Sequence, residues 1–258
     1  MAASVFAVAV ALALTFPLAP SITAPNAILV NATSGEVLFE RNADEPVSPA
    51  ALAQLMTLLV TAESIGAGVS AQGDMVMASP TAAEAQGSQI FLEAGETMPL
   101  RDLVASIAAG SANDSCIAVA EHIAGTEQAF VEITNARAAE LGMGNTRFST
   151  CTGLPKGGTI SSARDIGKLA IALHGYTWIM EWFSASEHSL RNGRIVLRNT
   201  NRLLSQYEGA YGFKTGYNID AGFCIAAAAD RHGVRLVAVI LGAADSAHRF
   251  TDAAALFD

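Results

Sequence analysis

Three short stretches, far apart in the chain, carry side chains that could take part in nucleophilic chemistry. They are residues 49–57, residues 111–114 (Ser-Ala-Asn-Asp) and residues 213–217 (Phe-Lys-Thr-Gly-Tyr). A serine hydroxyl becomes a useful nucleophile when a base lies within hydrogen-bond reach of it. No Ser-x-x-Lys sequence occurs in this chain. The second and third stretches retain a serine, Ser111, and a lysine, Lys214.

Each of these stretches lies at the boundary of a predicted element. Ser48-Pro49 predicts a helix start, with serine as the N-cap and proline at the first helical position. Gly110-Ser111 interrupts a helical pattern at the second stretch, and the third stretch leads into a hairpin whose turn is residues 230–233. The elements around the three stretches are predicted helices over 50–64, 99–109 and 113–124, and strands over 223–229 and 234–242.

The remaining pattern places strands at both chain ends and helices between them. A first hairpin is predicted from residues 27–30 and 37–39, whereas residues 66–98 are predicted to be mostly irregular. Further helices are predicted after Thr126 and Ser162, and a last one after Ser246. The predicted fold class is α+β, with one antiparallel sheet formed by both chain ends and an inserted helical lobe.

The second and third stretches match the Ser-x-Asn and Lys-Thr-Gly motifs of penicillin-binding proteins and serine β-lactamases. Together with its neighbouring segments, the chain resembles the D-alanyl-D-alanine carboxypeptidases, the low-molecular-mass penicillin-binding proteins. The similarity runs from about Ile22 to the C-terminus with the motifs in family order, and it implies the penicillin-binding protein/β-lactamase-like fold. The supporting segments are 33–43, Asn145–Phe148, Gly153–Pro155 and Ser162–Asp165.

The resemblance implies that the nucleophile and its base have been lost. The family's first motif is Ser-x-x-Lys, whose serine attacks the D-Ala-D-Ala carbonyl while the lysine takes the proton. Here the serine position is Ala51, the lysine position is Gln54 and the intervening threonine position is Ala53. A methyl group cannot attack a carbonyl, so no acyl-enzyme is expected. The family's oxyanion hole uses backbone N–H groups that map onto Ala51 and Tyr217, and these survive substitution.

The same resemblance implies roles for the residues that are retained. Ser111 and Asn113 would line one wall of the site, with Ser111 helping proton transfer in active relatives. Lys214 would offer a cation to the substrate carboxylate or stabilise the Ser111 hydroxyl. Thr215 would hydrogen-bond that carboxylate, and Gly216 would let the substrate backbone approach the strand closely.

Taken alone, several of these residues have simpler interpretations. Ser111 and Asn113 are good N-cap residues, and given the resemblance to the family we expect them both to cap a helix and to line the site. Asp114 at a helix start is a favourable charge for the helix dipole. No metal or cofactor is predicted, because neither the cysteines nor the histidines have metal-ligand spacing. The histidines are His122, His174, His188, His232 and His248.

Three functions compete on this basis. The first is a catalytically silent homologue that binds peptidoglycan stem peptides ending in D-Ala-D-Ala, or a cell-wall enzyme. The second is an active D-Ala-D-Ala carboxypeptidase with Ser111 as an unorthodox nucleophile activated by Lys214. The third is a non-enzymatic interaction domain of the cell-wall machinery.

Composition excludes some other partners. The 258 residues carry a net charge of -9, with 15 basic and 24 acidic residues, and no basic patch. Nucleic-acid binding depends on neutralising phosphates, so it is not expected here. Three scattered cysteines, Cys116, Cys151 and Cys224, do not form a disulfide scaffold and fit small buried apolar side chains.

The N-terminus favours export to the periplasm or cell envelope. Residues 2–19 are almost wholly apolar, and Pro17 and Pro20 break the run, as in a secretory signal more than a membrane span. The leader lacks the usual basic start, and no cleavage point is evident. We predict a signal peptide over 1–21 and a single carboxypeptidase-like domain over 22–258. Neither a C-terminal β domain nor an amphipathic membrane anchor is expected.

Overall fold

The computed structural model describes residues 20–155 and 158–258. The predicted apolar leader over 2–19 lies outside the described residues, so the signal peptide stays a prediction. Within the described ranges, no helix has both the length and the apolar character needed to cross a bilayer.

The strands of the main sheet lie near the two ends of the chain, and the middle of the chain is mostly helical. The strands are β1 (Asn26–Asn31), β2 (Val37–Arg41), β3 (Met75–Met77), β4 (Thr97–Pro99), β5 (Glu187–Leu190), β6 (Ile195–Arg198), β7 (Ala210–Asn218), β8 (Gly222–Arg231) and β9 (Val234–Ala243). The helices are α1 (Gln54–Gly66), α2 (Pro80–Ala83), α3 (Leu100–Gly110), α4 (Asn113–Ala124), α5 (Glu127–Glu140), α6 (Ala163–Leu173), α7 (Thr177–Ser184), α8 (Leu203–Gln206) and α9 (His248–Phe257).

The main sheet joins the two chain ends, which confirms the predicted α+β class. Its strand order is β2-β1-β9-β8-β7, and every neighbouring pair is antiparallel. Strand β1 pairs with β9 across more than 200 residues of sequence, with Ile28 opposite Val239. Segments between β2 and β7 supply the helical lobe, so that the sheet and the lobe form one α+β unit.

Strand β8 is buried on both faces, and its residues alternate between two cores. Cys224, Ala226 and Ala228 pack into the core shared with the helical lobe. Ile225, Ala227 and Ala229 pack into the core beneath α9. Because successive side chains of a strand point to opposite faces, this alternation is the two-residue period of a strand covered on both sides.

The start of the first helix differs from the prediction. Residues Ala50–Ala53 form a 3₁₀ turn, and the α-helix begins only at Gln54. Ser48 does not cap it; its hydroxyl lies 3.4 Å from the Asn218 side-chain nitrogen on β7. The physical reason is tertiary, because this turn is pressed against β7 and Ala50 adopts a left-handed φ of 50°.

Of the other predicted helix N-caps, the structure confirms two and contradicts one. The Thr126 and Ser162 hydroxyls accept hydrogen bonds from the Ala129 and Asp165 amides, which confirms both predicted caps. The predicted Ser246 cap is wrong, because the amide of His248 bonds to Asp245 instead. Residues 66–98, predicted to be mostly irregular, contain β3, α2 and β4, and β3 and β4 form a small antiparallel sheet.

Candidate active site

The three stretches converge where the 3₁₀ turn meets the edge strand β7. A β-carbon built on Gly216 would lie 3.0 Å from the Ala51 nitrogen and 3.2 Å from the Pro49 carbonyl oxygen. A side chain on Gly216 would therefore push the strand away from the turn. Glycine at this position lets β7 approach the turn so that Ala51 and Tyr217 border the same cavity.

Lys214 lies on β7 and is fully buried. Its Nζ donates hydrogen bonds to Ser111 Oγ at 2.6 Å and to the Ile107 carbonyl oxygen at 2.8 Å. Burial lowers the pKa of Lys214 to about 7. The neighbouring Cys116 offers little compensation, because burial raises the pKa of its thiol and keeps it protonated near neutrality. Of the two roles expected for Lys214, the contact with the Ser111 hydroxyl is the one present in the fold.

Ser111 and Asn113 occupy the break between α3 and α4, but neither side chain caps the second helix. Ser111 is the C-cap of α3 in a left-handed conformation, with φ of 58° and ψ of 35°. The N-cap of α4 is Ala112, and no side chain bonds there. The expected capping role is therefore wrong, because the two side chains are engaged elsewhere.

Gln54 joins the first stretch to the second. Its Nε2 donates to Asn113 Oδ1 at 2.8 Å and to the Ser111 carbonyl oxygen at 3.3 Å. The Asn113 side-chain nitrogen donates to the Gln86 carbonyl oxygen at 2.7 Å. Gln54 Oε1 is buried and has no hydrogen-bond partner among the described residues. An unpaired buried acceptor costs about 1–3 kcal/mol, which marks this substitution as imperfectly accommodated.

The contacts leave an open cavity of about 140 Å³ at this junction. Ser111 is only 8% exposed, whereas the Tyr217 side chain at the rim is 54% exposed. Thr215 is buried on the same strand. The lining residues are Ala51, Gly87, Ser88, Ser111, Asn113, Thr152, Gly153, Leu154, Tyr217 and Asn218. The cavity therefore contains residues from all three stretches.

Asp114 does more than place a charge at a helix start. Its buried carboxylate accepts hydrogen bonds from the backbone amides of Ile90 and Leu92, at 3.0 and 3.1 Å, and from that of Ser115. The bonds to Ile90 and Leu92 fix the loop whose earlier residues, Gly87 and Ser88, line the cavity. This anchoring could not be inferred from the local pattern.

Arg249 on α9 is a site residue that the sequence prediction missed. Its guanidinium donates to the Gly216 carbonyl oxygen at 3.2 Å and lies over the Phe223 ring, 5.4 Å from the centroid. Tyr217 stacks on the same Phe223 ring, with the two centroids 4.3 Å apart. The only sequence signal was an arginine at the start of the last predicted helix. That position carries no information about a strand 33 residues earlier.

The three cysteines do not form a disulfide with one another. Cys116, Cys151 and Cys224 are buried free thiols, and burial raises the pKa of Cys224 to about 11. A thiol with a raised pKa is a poor nucleophile at neutral pH.

Comparisons with known proteins agree with one another. The family profile described as D-alanyl-D-alanine carboxypeptidase matches residues 14–245. The chain is 38% identical over 238 residues to D-alanyl-D-alanine carboxypeptidase DacF of Bacillus subtilis, covering 91% of this chain and 61% of that protein. It is 36% identical over 242 residues to DacC of Escherichia coli, covering 91% and 60%.

A solved structure shows the same architecture. Penicillin binding protein 6B from Escherichia coli superposes with a TM-score of 0.88 at 31% identity, over 93% of this chain and 78% of that one. The chain spans about three-fifths of the length of the curated relatives, at 61% and 60%.

Proposed function

Because the chain belongs to the D-alanyl-D-alanine carboxypeptidase family, we propose that it binds peptidoglycan stem peptides ending in D-Ala-D-Ala and does not cleave them. The observation that carries the proposal is the pair Ala51 and Gln54. Ala51 lines the cavity with a methyl group, and Gln54 holds a neutral amide against Ser111 and Asn113. A primary amide is not a base at neutral pH, so these two positions provide neither a nucleophile nor its activation for D-Ala-D-Ala cleavage.

Several retained groups support binding of a peptide terminus. Ala51 and Tyr217 both line the cavity, and the resemblance assigns their backbone N–H groups to holding a carbonyl or carboxylate oxygen. Thr215 would add a hydroxyl donor from the same strand. Lys214 is buried against Ser111 and acts as an internal support.

Arg249 is the better candidate for the ligand's terminal carboxylate. It is partly exposed, and its contact with Gly216 places a fixed cation beside β7. Burial lowers the pKa of its guanidinium, but an arginine stays charged at any physiological pH. A charge-assisted pair with a carboxylate would therefore be available throughout that range.

The two alternatives make different predictions. An active carboxypeptidase with Ser111 as nucleophile would release D-alanine, and this release would disappear in Ser111→Ala. An interaction domain of the cell-wall machinery would bind a cell-wall enzyme but no stem peptide. We favour the silent binder because the cavity is open and is lined by retained motif residues.

Membership of this family supports a location of the protein in the cell envelope. We propose that residues 1–21 direct export and that residues 22–258 act as one domain in the periplasm or cell envelope. Fractionation of cells that express the whole chain would test this, with a variant lacking residues 2–19 as the control. Equal retention of both chains in the cytoplasm would contradict it.

The decisive experiment pairs covalent and non-covalent measurements on the same preparation. Intact mass after incubation with excess penicillin G should be unchanged, because no acyl-serine can form at Ala51. Calorimetric titration with a peptide ending in D-Ala-D-Ala should show binding that weakens about tenfold or more in Arg249→Ala, the loss expected for one charge-assisted contact. Arg235→Ala, an exposed arginine on β9, is the matched control and should bind normally.

A penicillin adduct would overturn the claim of silence, and peptide mapping would then begin at Ser111. Absent binding of the peptide, with the mass unchanged, would favour the interaction domain. Equal weakening in Arg249→Ala and Arg235→Ala would remove Arg249 from the site.

A further inference from the structure

The Ser111 and Lys214 pair has the geometry of a nucleophile with its own base. Lys214 Nζ lies 2.6 Å from Ser111 Oγ, and no carboxylate of the described residues lies within salt-bridge distance of this amine. A buried lysine without a counter-ion spends much of its time uncharged near neutrality, and its pKa is about 7. The neutral amine has a lone pair that can accept the serine proton.

The backbone holds Ser111 in place from both sides. Its left-handed φ of 58° is uncommon for a residue other than glycine, and such strain is concentrated at functional positions. Its amide bonds to the last turn of α3 through the Ile107 carbonyl, and its own carbonyl accepts from Gln54 Nε2. The hydroxyl is thus fixed between Lys214 and the cavity that Ser111 lines.

The size of the cavity limits what could reach this hydroxyl. Its volume of about 140 Å³ corresponds to roughly five water molecules at about 30 Å³ each. A short acyl group fits this space, whereas a peptide backbone does not reach a residue that is only 8% exposed. The backbone N–H of Ala51 at the same cavity is a donor for the oxygen of a tetrahedral intermediate.

We propose that Ser111, with Lys214 as its base, accepts short acyl groups from activated esters and releases them slowly to water. This activity goes beyond stem-peptide binding and does not depend on it. It makes the cavity an esterase site for small acyl donors, distinct from cleavage of D-Ala-D-Ala.

The step balances without any cofactor. The Ser111 Oγ–H proton passes to the neutral Lys214 Nζ while Oγ bonds to the ester carbonyl carbon. The bond from that carbon to the leaving alkoxide or phenolate then breaks, and the ammonium returns its proton to the leaving oxygen. Water, deprotonated by the same amine, next attacks the acyl carbon. The bond from that carbon to Ser111 Oγ then breaks, and the ammonium returns its proton to Oγ, so the products are a carboxylic acid and the free hydroxyl.

The test uses 4-nitrophenyl acetate as the acyl donor. Nitrophenolate release should be saturable, and intact mass should show one acetyl group that maps to the peptide containing Ser111. Lys214→Met should slow the release about 100-fold, the usual contribution of a general base. Ser205→Ala is the control, because that exposed hydroxyl bonds only to the Arg202 carbonyl on α8.

The pH profile separates a catalytic role from a structural one. Release should rise with pH through a midpoint near 7, as Lys214 loses its proton. The groups close to this amine from the packed elements are the Ser111 hydroxyl, the Ile107 carbonyl oxygen of α3 and the Cys116 thiol of α4. None of them carries a charge that would produce the same midpoint.

A second variant, Ser111→Gly, separates loss of activity from loss of folding. Ser111→Gly retains the left-handed backbone without strain, and its thermal midpoint should match or exceed that of the wild type. Release at background level in this folded variant would support the proposal. Release unchanged in Ser111→Gly, or an acetyl group mapped to Lys214, would overturn it. Peptide binding is measured separately, so its failure would not be confused with failure of the esterase.

Discussion

Replacing Ala51 with serine and Gln54 with lysine in one protein should restore acylation by penicillin. Ala51 already lines the cavity, and Gln54 Nε2 already lies 2.8 Å from Asn113 Oδ1 and 3.3 Å from the Ser111 carbonyl oxygen. A lysine is one bond longer than glutamine, and its amine would reach the same two acceptors. It would also remove the unpaired Gln54 Oε1.

The expected gain in acylation rate follows from what a serine nucleophile and its lysine base contribute together. Removing a serine nucleophile or its base from a catalytic unit costs about four to six orders of magnitude, or about 5 to 8 kcal/mol. The double variant should gain a rate of that order over the present chain. Gln54→Lys alone should gain nothing, because the methyl of Ala51 still cannot attack. Ala51→Ser alone should gain only a small part, since the two groups act as a unit.

The new lysine should also be a useful base. It would be buried within contact of Ser111, whose hydroxyl already accepts a hydrogen bond from Lys214. Two buried amines that share one neighbour disfavour each other's protonation, so at least one stays neutral near pH 7. A neutral amine is what proton abstraction from the introduced serine requires.

The assay is the time course of the acyl adduct by intact mass with penicillin G, on four proteins: wild type, both single variants and the double variant. Ala51→Ser combined with Gln54→Met is the matched control, since it restores the hydroxyl without a base. A double variant that keeps the wild-type thermal midpoint yet forms no adduct over hours would refute the reasoning. It would mean that Ala51 does not occupy the nucleophile position or that the cavity does not admit the ligand.

Three further predictions concern stability and dynamics. Burial holds the pKa of Lys214 near 7, so the unfolded chain binds more protons between that value and about 10.4. The contribution of Lys214 to the free energy of unfolding should therefore rise with pH across this window, by on the order of 5 kcal/mol. The buried cysteines, whose pKa values are raised, act in the opposite direction, so the Lys214 contribution is measured as the difference between urea titrations of the wild type and of Lys214→Met. Gly153→Ala should lower the free energy of unfolding by more than about 3 kcal/mol, because its β-carbon would meet a backbone oxygen at 2.1 Å. Gly35→Ala, at the same φ of 76° but in open space, should lower it by only about 1–2 kcal/mol. Asp114→Ala should raise amide hydrogen exchange at Ile90 and Leu92, whose N–H groups donate to its carboxylate, and unchanged exchange there would contradict the anchoring role.

Local signals in the sequence were enough for much of the architecture. The Thr126 and Ser162 caps and the β8–β9 hairpin depend on contacts between near neighbours in the chain, which residue types at fixed spacing encode. The ordered Ser-x-Asn and Lys-Thr-Gly motifs indicated the family, which the comparisons show. That Ala51 and Gln54 occupy the positions of the first motif follows from the resemblance and stays a prediction.

Residues engaged by distant partners could not be predicted in this way. Ser48 has the residue type of an N-cap but faces β7, and Asp114 binds a loop more than 20 residues earlier. Arg249 reaches Gly216 only because α9 packs beside the edge strand. In each case the partner is set by how elements pack, and no local spacing records it.

The sequence by itself therefore indicated the family and predicted the sheet joining the chain ends, and it has Ala51 and Gln54 where the resemblance implies a serine and a lysine. Tertiary structure decided three further properties of the site. Burial lowers the pKa of Lys214 to about 7, Ser111 beside it has a left-handed backbone, and a cavity lined by Ser111 stays open. The physical reason is that burial and desolvation are properties of the whole packed chain. They shift the pKa of Lys214, and the residue types next to it in the sequence do not reveal that shift.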